Sequence, residues 1–391
     1  MPGPLDGVHV VDLSWGMAGP MATGQLADYG ASVTRVERPR GDPYRSYVSG
    51  AVYDRGKRSV ILDVRTEQGS SALHRLLAKA DVFVESWRPG QAARMGLGSD
   101  VLLARYPRLV YCSVSGYGAE SRDSDRPGYD SLISARLGSM AEQQGPDGRP
   151  VYLGVPIASI GTALLAVIGI TAALYEREAT GRGQWVETSL VDGSLAFLSM
   201  FWERLEHLPD PGPVVAPSTP SRYRLLVRSF QCADGEFLGV HTGAGGSHGR
   251  LMECLGLSDR VPAVRGVQEK TVPLTEEEAR IVAEEIPAIL ASRPRAHWLE
   301  VLRANDVTAI PVLRQTEAFL EPQVDANELV VAVDDPELGR VEQVGVAARF
   351  RATPGAVVRG APVPGQHTHE VLAELGYTDP EIAAFGAVVG P

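Results

Sequence analysis

Cysteine is scarce. The 391 residues hold three, Cys112, Cys232 and Cys254, scattered and with no C-x-x-C pair. That excludes a disulfide framework and a zinc ribbon, and it fits a reducing cytosol, so the expected location is cytoplasmic. Long apolar runs are also missing. The longest, GTALLAVIGITAALY at 161–175, falls short of the ~20 residues a bilayer span needs and reads as a buried helix. The N-terminus, MPGPLDGVHVVDLS, lacks the basic stretch and apolar core of a signal peptide. Positive charge is outnumbered, 37 Lys and Arg against 48 Asp and Glu, a net charge of −11, which argues against a nucleic-acid partner. The histidine pairs His241/His248 and His367/His369 have neither helical i, i+4 spacing nor a companion carboxylate set, so no metal site is expected. There is no internal repeat or low-complexity tract. Apolar residues at 44% and charged residues at 22% exclude disorder, collagen and coiled coil. The length allows two or three domains, or one large α/β unit with a smaller partner.

What is present is an alternation. Short apolar runs at 8–13, 32–37, 59–64, 81–85 and 108–113 predict strands. Helical patterns lie between them, AGPMATGQLADYG with its terminal Gly30 and TEQGSSALHRLLAKA with apolar residues at helical spacing. Continuous apolar strands separated by helices imply a parallel sheet covered on both faces, with ligands at the carboxyl ends of its strands. A long helix at 157–178, a TGRGQ turn and an apolar stretch at 185–198 follow. The proline-dense segment 208–223 reads as a linker. Beyond it come a strand-like FQCADGEFLGV, helices at TEEEARIVAEEIPAILA and HWLEVLRAND, short β-like runs from about Glu328, and a final HEVLAELGY helix.

Three motifs bear on chemistry. Gly16, Gly19 and Gly24 surround the first strand-to-helix turn, but SWGMAGPMATG is not G-x-G-x-x-G; tight packing is the better reading, and Glu37 at the end of the second strand has no dinucleotide fingerprint to partner. Basic residues cluster after the strands: Arg35, Arg38, Arg40, Arg45, Arg55, Lys57, Arg58, Arg65, Arg88 and Arg94. In an acidic chain this points to a phosphorylated ligand, although any single arginine is more often a surface ion pair. Gly245-Gly246-Ser247-His248-Gly249 matches G-x-S-x-G between a strand-like and a helix-like run, with Asp325, Asp334, Asp335, His367 and His369 downstream. The flanking region lacks a hydrolase sheet pattern, so a nucleophile elbow is the minor reading.

Taken in order, several blocks resemble the class III CoA-transferases (CaiB/BaiF type), the family of formyl-CoA transferase, carnitine CoA-transferase and α-methylacyl-CoA racemase. They are PLDGVHVVDLSWGMAGPMATGQLADYGASVTRVERPRGD, RGKRSVILDV, ESWRPG, PRLVYCSVSGYG, RPGYD, ALYEREATGRGQWVETSLVDG and GQHTHEVLAELGY. The resemblance implies an α/β fold. Its Rossmann-like large domain would be built from both chain ends, 1–207 and 326–391, with 208–223 as linker and a small α+β domain at 224–325. It also implies an interlocked homodimer and CoA or acyl-CoA as substrate, with a small carboxylic acid as acceptor and with no metal, nucleic acid or membrane. By position, Arg38, Arg65, Arg94 and Arg88 would meet the CoA phosphates and nucleotide, and Trp87 would line the nucleotide pocket. Met17, where transferases carry a glutamine near the thioester, and its neighbour Ala18 would complete the CoA contacts.

The departures concern the chemistry. Family transferases carry a nucleophilic aspartate at the start of the long helix; the matching residue is Ser159. A serine hydroxyl needs an adjacent base and cannot form the family's aspartyl anhydride. The racemase pair of His and Asp would fall on Tyr129 and Ser159, and Tyr is a poor base at neutral pH. The racemase helper glutamate would fall near Ala244, and STPSRY stands where the transferase glycine loop belongs. Three accounts stay open: chemistry that has diverged, another carboxylate in service (Asp130 or Glu142), or an engineered serine. The resulting expectation is a CoA-transferase-type enzyme with Ser159, Tyr129 and Asp130 at its centre. The alternatives are an isomerase, lyase or dehydratase-like tailoring enzyme, or a non-catalytic acyl-CoA binder.

Overall fold

The computed structural model describes residues 2–47, 50–142, 145, 149–198, 223–264 and 269–386. The linker expected at 208–223 lies outside them except for Tyr223, and the side chain of Glu142 is also outside.

Six strands form one sheet: β1 (His9–Leu13), β2 (Ser32–Glu37), β3 (Arg58–Ile61), β4 (Val82–Glu85), β5 (Val110–Ser115) and β6 (Trp185–Ser189). The order is β3-β2-β1-β4-β5-β6, and every neighbouring pair is parallel. This is the doubly wound order, whose direction of winding reverses between β1 and β4. Five strands were expected. The sixth was hidden in the apolar stretch 185–198, which the structure divides into β6 and the helix Leu190–Leu198. Both run apolar, so hydropathy alone does not mark the boundary between them.

The helices follow from local signals. Ala18–Asp28 carries small residues on its buried side and stops before Gly30 at φ +100. Glu67–Leu77 starts at Thr66, whose hydroxyl accepts the Gly69 N–H, and buries Ala72, Leu73, Leu76 and Leu77. The long helix runs from Ile157 to Thr180, well past the apolar run, and ends at Gly181 in the left-handed conformation. By length and composition alone it could cross a bilayer, yet it packs Ala158, Ala166, Val167 and Ile170 into the core on one side of the sheet. The other side is covered by Glu67–Leu77, Ser99–Arg105 and the C-terminal helices Thr368–Glu374 and Asp379–Gly386, which bring Val371, Leu372 and Phe385 to a second core.

The chain divides into two compact units. One comprises Met1–Gly138, Gly154–Arg204 and Pro322–Pro391; it carries the sheet and an antiparallel hairpin of β10 (Val330–Asp335) and β11 (Gly339–Val344). The other comprises Leu205–Glu321 and Ser139–Leu153, a segment read from the sequence as part of the large domain. It holds the antiparallel sheet β7 (Val227–Gln231), β8 (Phe237–His241) and β9 (Thr308–Pro311), with a core around Leu238, Leu251, Ile281, Ile286 and Leu302.

Candidate active site

The carboxyl ends of β1, β4 and β5 open onto one cleft of about 170 Å³ in the first unit. Its walls are the turn Trp15–Gly19 after β1, Ser86–Pro89 after β4 and Val114–Gly116 at the end of β5, with Tyr44, Ser124, Arg126–Asp130, Ser159 and Leu190. Gly16, at φ +83, turns the chain away from β1 in a conformation glycine adopts without strain. The two central turns are tied together: Trp15 N–H donates to Ser86 Oγ at 2.8 Å, and Ser86 Oγ–H donates to Trp15 O at 3.1 Å.

The RPGYD block owes its place to close glycine contact. A Cβ on Gly128 would lie 2.6 Å from the Gly116 Cα, so only glycine lets this loop rest on the end of β5. The next residues then enter the cleft. Tyr129 is half exposed, and Asp130 opens the helix Asp130–Arg136. Asp130 Oδ1 accepts the Ser159 N–H at 2.8 Å, and its Oδ2 accepts the Ser159 hydroxyl at 2.6 Å. The carboxylate therefore sits in the first turn of two helices, where the exposed N–H groups favour negative charge. Ser159 itself is 3% exposed. Just below, Glu85 accepts the Trp87 N–H at 2.6 Å and the Tyr111 hydroxyl at 3.3 Å. Burial pushes its carboxyl up to about 7 despite those two donors.

Sequence reading and structure meet on Met17, Ala18, Trp87, Arg88, Tyr129, Asp130 and Ser159, which all line the cleft. Arg38 stands at its edge, its guanidinium 5.6 Å from the centre of the Trp15 ring and its Nε–H donating to Gly41 O. Arg65 is exposed and paired with Asp63 at 2.7 Å, and Arg94 is exposed at the end of the short helix Gln91–Arg94; neither lines the cleft. Ala244 lies in the second unit. Trp15, Tyr44 and Ser86 were missed, although Trp15 and Ser86 stand within two residues of the strand ends at which ligands of such sheets bind.

The basic cluster is corrected in part. Arg35 is committed to Asp54 and Asp42, Arg45 to Glu37, Arg55 to Asp28, Lys57 to Asp12, and Arg58 to Glu374. Arg35, Arg55 and Lys57 are buried, and a buried charge is tolerated only when paired; Arg45 and Arg58 are part-buried and are likewise spent on the protein's own carboxylates. Among the described residues Arg88 has no ion pair and faces the cleft. The glycines behave as the packing reading held: a Cβ on Gly19 would lie 2.3 Å from the Ser14 Cβ, and one on Gly24 would lie 2.6 Å from Tyr53 O.

The G-x-S-x-G motif does form a strand–turn–helix, with Gly246 at φ +72 before the helix Ser247–Cys254. Its serine is closed off, however: Ser247 is fully buried and its Oγ has no hydrogen-bond partner. Burial, reinforced by Arg224, pushes His248 down to about 4. His367 accepts the Ser59 N–H through Nδ1, and His369 faces Asp379 at 3.1 Å. Among the described residues no side chain hydrogen-bonds to the serine hydroxyl.

The chain matches the profile of CoA-transferase family III over residues 5–368. It belongs to that family. It is 31% identical to human succinyl-CoA:glutarate CoA-transferase over 391 residues, covering 96% of this chain and 87% of the relative. It is 30% identical to mouse α-methylacyl-CoA racemase, covering 97% and 95%. A crystal structure of a CaiB/BaiF family protein from Brucella suis superposes with a TM-score of 0.76 at 28% identity, over 96% of this chain and all of that one. The mixed α/β fold with its six-stranded parallel sheet is thus the fold of this family, whose transferases act on acyl-CoA and carboxylic acids.

Proposed function

We propose that this family III member moves CoA between an acyl-CoA and a carboxylic acid, with Asp130 supplying the carboxylate that Ser159 cannot. One observation carries this: among the described residues Asp130 is the only acidic side chain lining the cleft, and it is held 2.6 Å from Ser159 Oγ, at the start of the long helix where the family nucleophile belongs.

The atoms balance through Asp130. Its carboxylate adds to the thioester carbonyl and expels CoA thiolate, leaving an acyl–aspartyl anhydride. The thiolate attacks the aspartyl carbonyl, releasing the first carboxylate and leaving an enzyme–CoA thioester. The acceptor carboxylate attacks that thioester to form a second anhydride and free the thiolate, which takes the new acyl group as product and restores Asp130. The cleft takes the thioester end of the ligand, with Trp87 and Arg88 toward the nucleotide and Arg38 at the rim. Arg65 and Arg94 are proposed to meet the CoA only along its exposed course. Exposed apolar side chains on the long helix, Leu164 and Ile168, support the homodimer that the family resemblance implies.

The hydrogen bond from Ser159 Oγ–H to Asp130 favours a second reading, in which Asp130 is the base and Ser159 the nucleophile. Serine has no carbonyl, so an acyl-serine can pass its acyl group to water, an alcohol or an amine but cannot carry CoA. The experiment is acyl exchange between acetyl-CoA and free carboxylic acids, followed by mass spectrometry, in Asp130→Asn and Ser159→Ala. CoA transfer through Asp130 requires that Asp130→Asn lose exchange by about 10³-fold or more while Ser159→Ala retains it. Full exchange in Asp130→Asn would overturn the assignment. An adduct on Ser159 that resists neutral hydroxylamine, with hydrolysis and no exchange, would establish the second reading.

A further inference from the structure

A chain of buried charges lies beneath the cleft, and the chemistry above does not use it. Asp12 and Lys57 are fully buried, and Arg35 and Asp54 are each 2% exposed. Lys57 Nζ spends all three donors, on Asp12 Oδ2 at 3.0 Å, Asp54 Oδ1 at 3.1 Å and Pro20 O at 2.9 Å. Asp12 also accepts the Ser14 N–H at 2.9 Å and the Thr23 hydroxyl at 2.6 Å. From Asp54 the chain passes to Arg35, whose other guanidinium nitrogen donates to Asp42 Oδ2 at 2.5 Å. Asp42 is the outlet. Its Oδ1 accepts the Tyr44 N–H at 2.9 Å, and the Gly16 N–H points to its Oδ2 at 3.4 Å. Gly16 and Tyr44 both line the cleft, and the Tyr44 ring stands 6.4 Å from that of Trp15.

Burying this many charges is costly, and packed apolar side chains would hold a fold as well. What apolar packing does not supply is directed hydrogen bonds to two backbone N–H groups from separate segments that line one cleft. We infer that the line Asp12–Lys57–Asp54–Arg35–Asp42 is a positioning relay that fixes the Gly16 turn and Tyr44 as the preformed seat for the thioester end of CoA. Asp42 is its positioning residue. The part about CoA rests on the function proposed above.

The test uses the full chain carrying Asp42→Asn, which keeps the side chain's size and leaves Arg35 bound to Asp54. Hydrogen exchange is followed in peptides covering Ser14–Met17 and Pro43–Tyr47, and CoA binding is measured by calorimetry. Exchange in those two peptides is expected to speed up about tenfold, with the β4 and β5 peptides unchanged, and CoA affinity is expected to fall about tenfold. Thr23→Val, which removes one bond at the far end, should give the same pattern at smaller amplitude and serves if Asp42→Asn does not fold. Unchanged exchange at Gly16 and Tyr44, or a uniform rise across the whole sheet, would overturn the relay. A wild-type protein that does not bind CoA would sink the CoA reading, while the exchange pattern would still decide the relay.

Discussion

Of two glycine turns that lead from a strand into a helix, one opens onto the cleft and the other is closed off. The turn after β1 runs Ser14–Met17, with Gly16 at φ +83; the turn after β8 runs Thr242–Gly246, with Gly246 at φ +72. Both place a helix directly beyond the turn. The difference lies in the neighbours. In the parallel sheet β4 and β5 end on the same side as β1, so three turns converge and bring Trp15, Trp87 and Tyr129 around one cleft. In the antiparallel sheet β7 and β9 run against β8, so no neighbouring carboxyl end meets the Ser247 turn. A local motif sets the backbone of a turn; the direction of adjacent strands decides whether side chains gather there.

The largest expected contrast between the surroundings of the two turns is their pH response. Glu85, at the end of β4, is raised by burial to about 7 from an ordinary 4.5. The folded state keeps a proton the unfolded chain releases, so this stability is complete below about pH 4.5 and is lost as pH rises through 7. His248 is lowered to about 4 from 6.5. There the unfolded chain takes a proton the folded state refuses, so stability is complete above about pH 6.5 and is lost as pH falls to 4. Each shift corresponds to about 3 kcal/mol. Urea titrations across this range should show the alkaline loss flattened in Glu85→Gln and the acid loss flattened in His248→Gln; unchanged curves would refute the assignments.

A smaller contrast comes from filling the close approaches. Gly19→Ala meets Ser14, and Gly249→Ala meets the Ala263 Cβ at 2.7 Å. Both should cost about 1–3 kcal/mol in denaturant melts, but only Gly19→Ala should also weaken CoA binding. Smallest of all is Ser247→Ala. Removing a buried hydroxyl that has no partner should change stability by no more than about 1 kcal/mol, in the stabilising direction, and leave acyl exchange intact. A large loss of exchange would return Ser247 to the mechanism.

Much of the fold was legible because its signals are local. Continuous apolar strands gave a parallel sheet, and Thr66, Gly30 and Gly181 mark helix ends through bonds or dihedral angles reaching only a few residues. β6 was not legible, since its apolar pattern runs unbroken into the next helix. The site was legible in part. RPGYD and the long helix both stood out, so Tyr129, Asp130 and Ser159 could be named, but not their arrangement. The arginines show the limit most clearly. Arg35, Arg45 and Arg88 are the same residue type near similar strand ends, yet two are locked to buried carboxylates and one faces the cleft.

The amino-acid sequence by itself determined the alternation of strand and helix, the family, and the absence of an aspartate at position 159, because each depends on residue type and order along the chain. Only the tertiary structure decided which carboxylate stands beside Ser159, which cations are spent inside the fold and which glycine turn is open. Asp130 and Ser159 are 29 residues apart in the chain and 2.6 Å apart in space. That distance is set by the Gly116–Gly128 contact and by the packing of two helices on the sheet, and neither is visible in a one-dimensional pattern.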